Sequence, residues 1–163
     1  MRLTNRGRYA VTAIADLAIH GQLMPVSLAD ISIRQDIPIS YLGQLFMLLR
    51  AGGLVKSQRG PNGGYRLAKD SSEISIVDVI NAVDEKINTL RCGGRVNCQN
   101  NQQCLTHTLW ENIDNRIRDL FAEVYISDIV ANDQVMEISA RQDAYLAKQQ
   151  THTTLKAVNM ITT

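Results

Sequence analysis

Three cysteines and one of the three histidines of this 163-residue chain fall within sixteen residues, as Cys92-x5-Cys98-x5-Cys104-x2-His107, and no other thiol occurs. Thiolate and imidazole are the side chains that bind soft and borderline metals, so the grouping points first to a metal centre. A disulfide framework fits poorly. The cysteine count is odd, and the opening residues Met1-Arg2-Leu3-Thr4-Asn5-Arg6 lack the apolar stretch of a secretory signal, so reduced thiols in the cytoplasm are expected. Structural zinc usually takes thiolates in pairs two to four residues apart, because each pair turns tightly around one ion. Here the spacers are longer and polar: Gly93-Gly94-Arg95-Val96-Asn97 and Gln99-Asn100-Asn101-Gln102-Gln103. Such a roomy loop suits an iron-sulfur cluster better than one zinc ion, and on spacing alone both stay open. With three thiolates, the fourth ligand is His107, another side chain or an exogenous group; otherwise His107 is a helix-start histidine facing water.

The rest of the chain must position that centre and give it a purpose. A composition of 45% hydrophobic and 20% charged residues describes an ordinary globular chain with one core. No apolar run approaches the ~20 residues that span a bilayer, so no membrane role is expected. The net charge of +1 hides a division. Residues 1–70 carry nine Lys/Arg against four Asp/Glu, residues 71–131 carry five against nine, and residues 132–163 carry three against three. A basic half joined to an acidic one predicts a polyanion partner for the first.

Within the basic half, Ala10, Ile14, Leu17 and Ala18 recur at helical spacing, predicting a helix that starts near Thr4 or Asn5 and ends at His20. Ser27 with Asp30 predicts a capped second helix to about Gln35. After the turn Asp36-Ile37-Pro38, with Pro38 suited to a first helical position, a third helix should run from Ile39 to Ala51. Leu42, Leu45, Phe46 and Leu49 form its buried stripe and leave Ser40, Tyr41, Gln44, Met47 and Arg50 on the outer face. Leu54 to Gln58 and Tyr65 to Leu67 read as two strands around the turn-rich Arg59-Gly60-Pro61-Asn62-Gly63-Gly64. The fold expected is therefore mainly α with a small β wing: a winged helix-turn-helix domain suited to double-stranded DNA. Arg59 at the wing base can enter a narrow minor groove, and the glycines let backbone approach phosphate.

At this point the motifs Arg2-Leu3-Thr4, Gly7-Arg8-Tyr9-Ala10, Ile39-Ser40-Tyr41-Leu42-x-Gln44-Leu45-Phe46, Leu48-x-Arg50, Gly53-Leu54-Val55 and Arg59-Gly60-Pro61-x-Gly63-Gly64-Tyr65 resemble the Rrf-type winged-helix regulators of bacteria. The cysteine pattern, followed by a long aromatic-bearing helix, is similar to the branch of that family that senses iron-sulfur clusters. Nitric-oxide and iron-responsive relatives space the first cysteines more widely. The resemblance spans roughly residues 1–131 and implies a 2Fe-2S cluster held by Cys92, Cys98, Cys104 and His107. It also implies that Ser40, Tyr41 and Gln44, with Arg50 on the same helix, and Arg59, Pro61 and Gly63 in the wing, contact promoter operators. Control of iron-sulfur biogenesis genes, by repression or activation, and the iron-sulfur assembly machinery as cluster donor follow from the same resemblance. Gly43 departs from it: that branch often carries an acidic residue there that helps select DNA sites for the cluster-free protein.

Three regions are expected: a DNA-binding region over 1–70, a cluster loop and dimerisation helix over 71–131, and a flexible tail over 132–163. Ser75 and Asp78 predict a cap for a short helix bearing Ile76, Val79, Ile80 and Val83. Leu109, Ile113, Ile117, Leu120, Phe121 and Val124 mark one long stripe from about Thr106 to Tyr125, expected to pair with its copy in a homodimer. A short capped segment over 127–131 should close the ordered part. The competing readings are a winged-helix regulator with structural zinc or a nitric-oxide or iron-responsive relative, and an iron-sulfur electron carrier or enzyme. A carrier has no use for a basic winged helix, and an enzyme should offer a second constellation near the metal, whereas His20 and His152 stand in unrelated contexts.

Overall fold

The computed structural model of the chain describes residues 4–84, 92, 93 and 95–161, with side chains through 151. Arg2, Leu3, Gly94 and the His152 side chain, cited above, lie outside the described residues. The basic half forms as its periodicity predicts: α1 (Asn5–His20), α2 (Leu28–Gln35) and α3 (Ile39–Ala51), followed by β1 (Val55–Gln58) and β2 (Gly64–Leu67). Thr4 caps α1 by accepting the Arg6 N–H, and the Ser27 hydroxyl caps α2 by accepting the Asp30 N–H at 3.1 Å. Pro38 stands one residue before the position expected, as the N-cap of α3 with φ −55° and ψ 131°. Its ring fixes φ and needs no donor, so it serves the turn rather than the first helical residue. Asp36 makes the bend between α2 and α3 with φ 52°, a left-handed conformation that Asp tolerates better than most residues.

Ile14, Leu17, Ile31, Leu42, Leu45, Phe46 and Leu49 meet in one buried core, so the three helices hold each other through the stripes read from the sequence. Phe46 is fully buried and meets Tyr65 of β2 edge-on, with ring centroids 4.7 Å apart. This contact joins the third helix to the wing. The two strands pair antiparallel in the register Val55↔Leu67, Lys56↔Arg66, Ser57↔Tyr65, Gln58↔Gly64. Val26 adds an isolated bridge to Tyr65, and its carbonyl lies where a Cβ on Gly64 would stand, 2.3 Å away. Only glycine allows that close approach.

A short 3-10 turn (Ser71–Glu73), capped by Asp70, then leads into α4 (Ile76–Ala82). The predicted Ser75 cap is a full capping box, with the Ser75 N–H donating to Asp78 Oδ2 at 3.0 Å. Next come α5 (His107–Glu123), α6 (Ile126–Val130) and α7 (Asp133–Ile161). Two findings differ from the sequence reading. The apolar stripe of α5 is divided: Ile117 and Phe121, with Val124 just beyond the helix, pack on the core, while Leu109 and Leu120 are 55% and 57% exposed. Residues beyond Asn132, expected as a flexible tail, form the 29-residue α7, which packs against α2 and α6. Its docking face is polar, so an apolar periodicity could not announce it. Among the described residues no helix is long and apolar enough to cross a membrane.

Candidate metal centre and nucleic-acid interface

The loop before α5 folds around its thiols by local hydrogen bonds. Gln99 and Gln102 exchange backbone bonds of 3.1 and 2.8 Å across Asn100 and Asn101, both with positive φ, which is a two-residue hairpin turn of the primed kind. Gly93 also has positive φ, and so does Val96, a β-branched residue for which φ 58° is strained by about 1–2 kcal/mol. The strained residue stands between the first two cysteines. His107 is the first residue of α5, only 1% exposed, and its N–H donates to the Cys104 carbonyl at 3.1 Å.

These constraints bring Cys92, Cys98 and His107 together. Cys98 Sγ lies 3.2 Å from Cys92 Sγ and 3.1 Å from His107 Nδ1, and Cys92 Sγ lies 3.6 Å from the same nitrogen. All three ligand atoms are within 4.8 Å of one another. Cys104, expected as one of the three thiolate ligands, stands outside this triplet, with its sulfur 3.8 Å from Thr106 Oγ1. The Thr106 N–H and hydroxyl lower the Cys104 thiol below its usual pKa. Cys98 has the opposite displacement: the Cys104 backbone pulls it down, but the neighbouring Cys92 thiol, desolvation and the Cys104 thiol together push it up. The donor set of two close thiols, a third set apart and one imidazole suits a metal ion or an iron-sulfur cluster.

The residues expected at DNA are distributed over α3 and the wing. Ser40, Gln44 and Arg50 are exposed on α3, and Arg59 and Pro61 are exposed in the wing. Tyr41 is half-buried, its ring edge-on to Tyr9 with centroids 5.8 Å apart, so it also anchors α3 to α1. A Cβ at Gly43 would meet no heavy atom within 4 Å, so this position opens outward between Ser40 and Gln44. Gly63 has a reason internal to the chain: a Cβ there would lie 2.6 Å from the Gln58 carbonyl oxygen and 2.8 Å from that of Gly60.

One constellation escaped the sequence reading. Asp16 is buried in α1, where Arg34 of α2 donates from Nε and Nη2 at 2.9 and 2.7 Å and Gln35 donates at 2.7 Å. His20 Nδ1 lies 2.8 Å from the Asp16 carbonyl, while its Nε2 lies 3.2 Å from both Asp143 Oδ2 and Ser139 Oγ on α7. Burial alone would raise the Asp16 carboxyl, but the bonds from Arg34, His20 and Gln35 outweigh it and bring the pKa from 3.8 to about 2. The signal was an aspartate inside the apolar stripe of α1. Buried acids are paired, and a lone Arg on the next helix was the available partner.

The path from the thiol loop to α3 is continuous. The Ile76 N–H donates to the Val124 carbonyl at 2.9 Å, tying the end of α5 to the start of α4. Helix α4 packs against α1 and α3, and Ala82 lies against Gly52 at the end of α3, where a glycine Cβ would stand 2.8 Å from it.

Known proteins agree with this architecture. Residues 3–132 match the Rrf2 family, described as iron-dependent transcriptional regulators. The chain is 53% identical over 150 residues to the HTH-type transcriptional regulator IscR of Vibrio cholerae, covering 92% of this chain and 87% of that one. The IscR of Pectobacterium carotovorum is likewise 53% identical, with 88% of each chain covered. Among solved structures, T. potens IscR matches with a TM-score of 0.67 and 33% identity, over 80% of this chain and 87% of that one. CymR, the global cysteine regulator of B. subtilis, matches with a TM-score of 0.69 at 27% identity, over 80% and 97%. The two IscR relatives are transcriptional regulators by name. With a family match across most of its length and half its residues shared with named members, the chain belongs to the Rrf2 family of winged-helix transcriptional regulators.

Proposed function

We propose that this chain is a DNA-binding transcription regulator that senses iron-sulfur cluster status through a 2Fe-2S cluster and controls iron-sulfur biogenesis genes as a homodimer. The observation that carries the reading is the convergence of Cys92, Cys98 and His107 at the start of α5, whose other end is bonded to the helix packed on α3. Cys92, Cys98, Cys104 and His107 would hold the cluster, which supplies a group that can be gained, lost or change its charge. A histidine in place of a fourth thiolate raises such a group's potential, as expected for a responsive site.

The protein's own residues do the rest. His107 fixes the loop to the first turn of α5, so ordering the loop changes the position of that helix and, through Val124 and Ile76, the support beneath α3. Ser40, Tyr41, Gln44 and Arg50 would read or anchor operator DNA in the major groove, with Arg59, Pro61 and Gly63 contributing from the wing. The exposed Leu109 and Leu120 supply the surface for a second copy, and the iron-sulfur assembly machinery would donate the cluster.

Protein purified without oxygen should absorb in the visible, and Cys98→Ala should abolish that absorption while leaving the fold intact by circular dichroism. Operator binding should then differ between the loaded protein and Cys98→Ala at some sites. Identical binding at every operator would remove the sensing role. A second reading, a single structural zinc, is favoured by the tight triplet within 4.8 Å; colourless protein carrying stoichiometric zinc would establish it instead.

A further inference from the structure

We propose that Cys92 and Cys98 form a reversible disulfide when the metal-free protein meets a peroxide, leaving Cys104 as a thiol and preventing reloading of the site until a reductant restores it. The proposal concerns the same loop as the metal reading but not the identity of the metal, because it is a property of the metal-free chain. Its basis is the closer approach of Cys92 to Cys98. The two sulfurs are 3.2 Å apart, so an approach of about 1 Å brings them to the ~2.05 Å of a disulfide bond. Both belong to the loop before α5, they are only partly covered, and five residues separate them. Cys104 is the less favoured partner. Its sulfur, although it also neighbours Cys98, lies outside the close triplet and against Thr106, and its main chain is held by the His107 N–H.

The chemistry balances with hydrogen peroxide as the oxidant. One of the two sulfurs attacks a peroxide oxygen, the O–O bond breaks, and hydroxide leaves with the thiol proton as water, giving a sulfenic acid. The second sulfur attacks the first, the S–O bond breaks, and hydroxide leaves with the second thiol proton as another water. Two sulfurs lose two electrons in total, and one peroxide becomes two waters. His107 takes no part as a reactant; its Nδ1, 3.1 and 3.6 Å from the two sulfurs, keeps both on one side of the loop. The strained Val96 lies in the closed ring, so bridging draws tight a turn that is already held away from its relaxed conformation.

The test uses the full chain, stripped of metal under argon with a chelator and treated with equimolar hydrogen peroxide. Thiol titration should fall from three to one per chain. Tryptic mass spectrometry should find the peptide 92–95 linked to the peptide 96–116, with the alkylating label on Cys104 alone. Cys104→Ser should still lose two thiols, whereas Cys92→Ser should yield no linked peptide. Iron and sulfide added to the peroxide-treated protein should give no visible absorption until a dithiol is supplied. A bridge to Cys104, isolated sulfinic acids, loss of all three thiols or no thiol loss would each overturn the proposal. A chain that bridges as described yet never binds a coloured centre would leave this inference standing and remove the cluster reading, so the two failures are distinguishable.

Discussion

At the scale of single residues, Gly43, Asp16 and His20 link sequence to measurable energies. Gly43 lies inside α3, where glycine is less favourable than alanine by about 1 kcal/mol, and the space beyond its Cα is open. Gly43→Ala should therefore stabilise the fold by about 0.5–1 kcal/mol and raise the melting temperature by about 2 °C; a lower melting temperature would show a contact at that Cβ. Asp16 gives the second test. Its folded pKa of about 2 is below the reference 3.8, so its contribution is present above the unfolded value and is lost as pH falls through the folded one. That contribution amounts to about 2 kcal/mol from the size of the shift. His20 acts with the opposite sign. The Asp16 carboxylate bonded to it, against the opposing effects of burial and of the Arg34 charge, raises its pKa above 6.5, so its contribution is complete below that value and disappears as pH rises through the raised one. Unfolding by urea should show the Asp16–His20 contribution greatest between roughly pH 4 and 6.5. His20→Gln should lose the decline above that window while keeping the acid limb; an unchanged alkaline limb would show that Asp16, Arg34, Ser139 and Asp143 do not govern this histidine. The convergence of Cys92, Cys98 and His107 was legible from residue types and spacing alone. That Cys104 would stand apart was not, because spacing fixes reach while Thr106 and the two tight turns fix direction.

At the scale of elements, the first three helices and the wing were legible because each buries an apolar stripe with helical or alternating period, bounded by Thr4, Ser27, Pro38 and the wing glycines. The division of the α5 stripe was not, since the period shows which side of a helix is apolar but not whether its own chain or another covers it. Helix α7 was missed for a different reason. Its inward positions Ser139, Gln142, Asp143, Leu146 and Gln150 recur at helical spacing, yet four of the five are polar and bond to His20, Gln35 and Asp30. The Gln35 and Gln142 amides bond reciprocally at 3.0 and 3.2 Å, so each supplies what the other needs. Such a face holds by direction rather than area, with about 0.5–1.5 kcal/mol for each hydrogen bond. Replacing Gln142 and Asp143 together by alanine should accelerate amide hydrogen exchange in residues 139–151 while leaving α1 and α3 protected. Equal acceleration throughout would mean that α7 and the DNA-binding half unfold as one unit. Arg34→Ala is the harsher change, because it strands the Asp16 carboxylate in the core; a loss of about 3–5 kcal/mol is expected.

At the scale of the whole molecule, the separation of charge and the two sides of α5 act together. Residues 1–70 carry an excess of five positive charges, nine Lys/Arg against four Asp/Glu, so operator binding should weaken steeply with salt as phosphate contacts displace counterions. One reading head makes few such contacts, and a symmetric pair doubles them while matching two half-sites. The surface for pairing follows from burial. Ile117 and Phe121 already face the core of their own chain, whereas Leu109 and Leu120, eleven residues and about three turns apart, share the other side of α5 and lie more than half exposed. A second copy bringing the same side would cover both pairs at once, which is the self-complementary contact of a two-fold dimer. Sedimentation of the native chain should therefore give twice the 18.1 kDa of the monomer. Leu109→Lys with Leu120→Lys places like charges across the axis and should give the monomer mass with an unchanged helical spectrum. Because the second half-site is then no longer bound at the effective concentration set by the first, affinity for a two-half-site operator should fall by about 10²-fold or more. The slope of log affinity against log salt should also fall to about half, since half the phosphates are engaged. A double variant that remained dimeric would place the pairing surface elsewhere, and a monomer with undiminished affinity and slope would show that one head reads the operator alone.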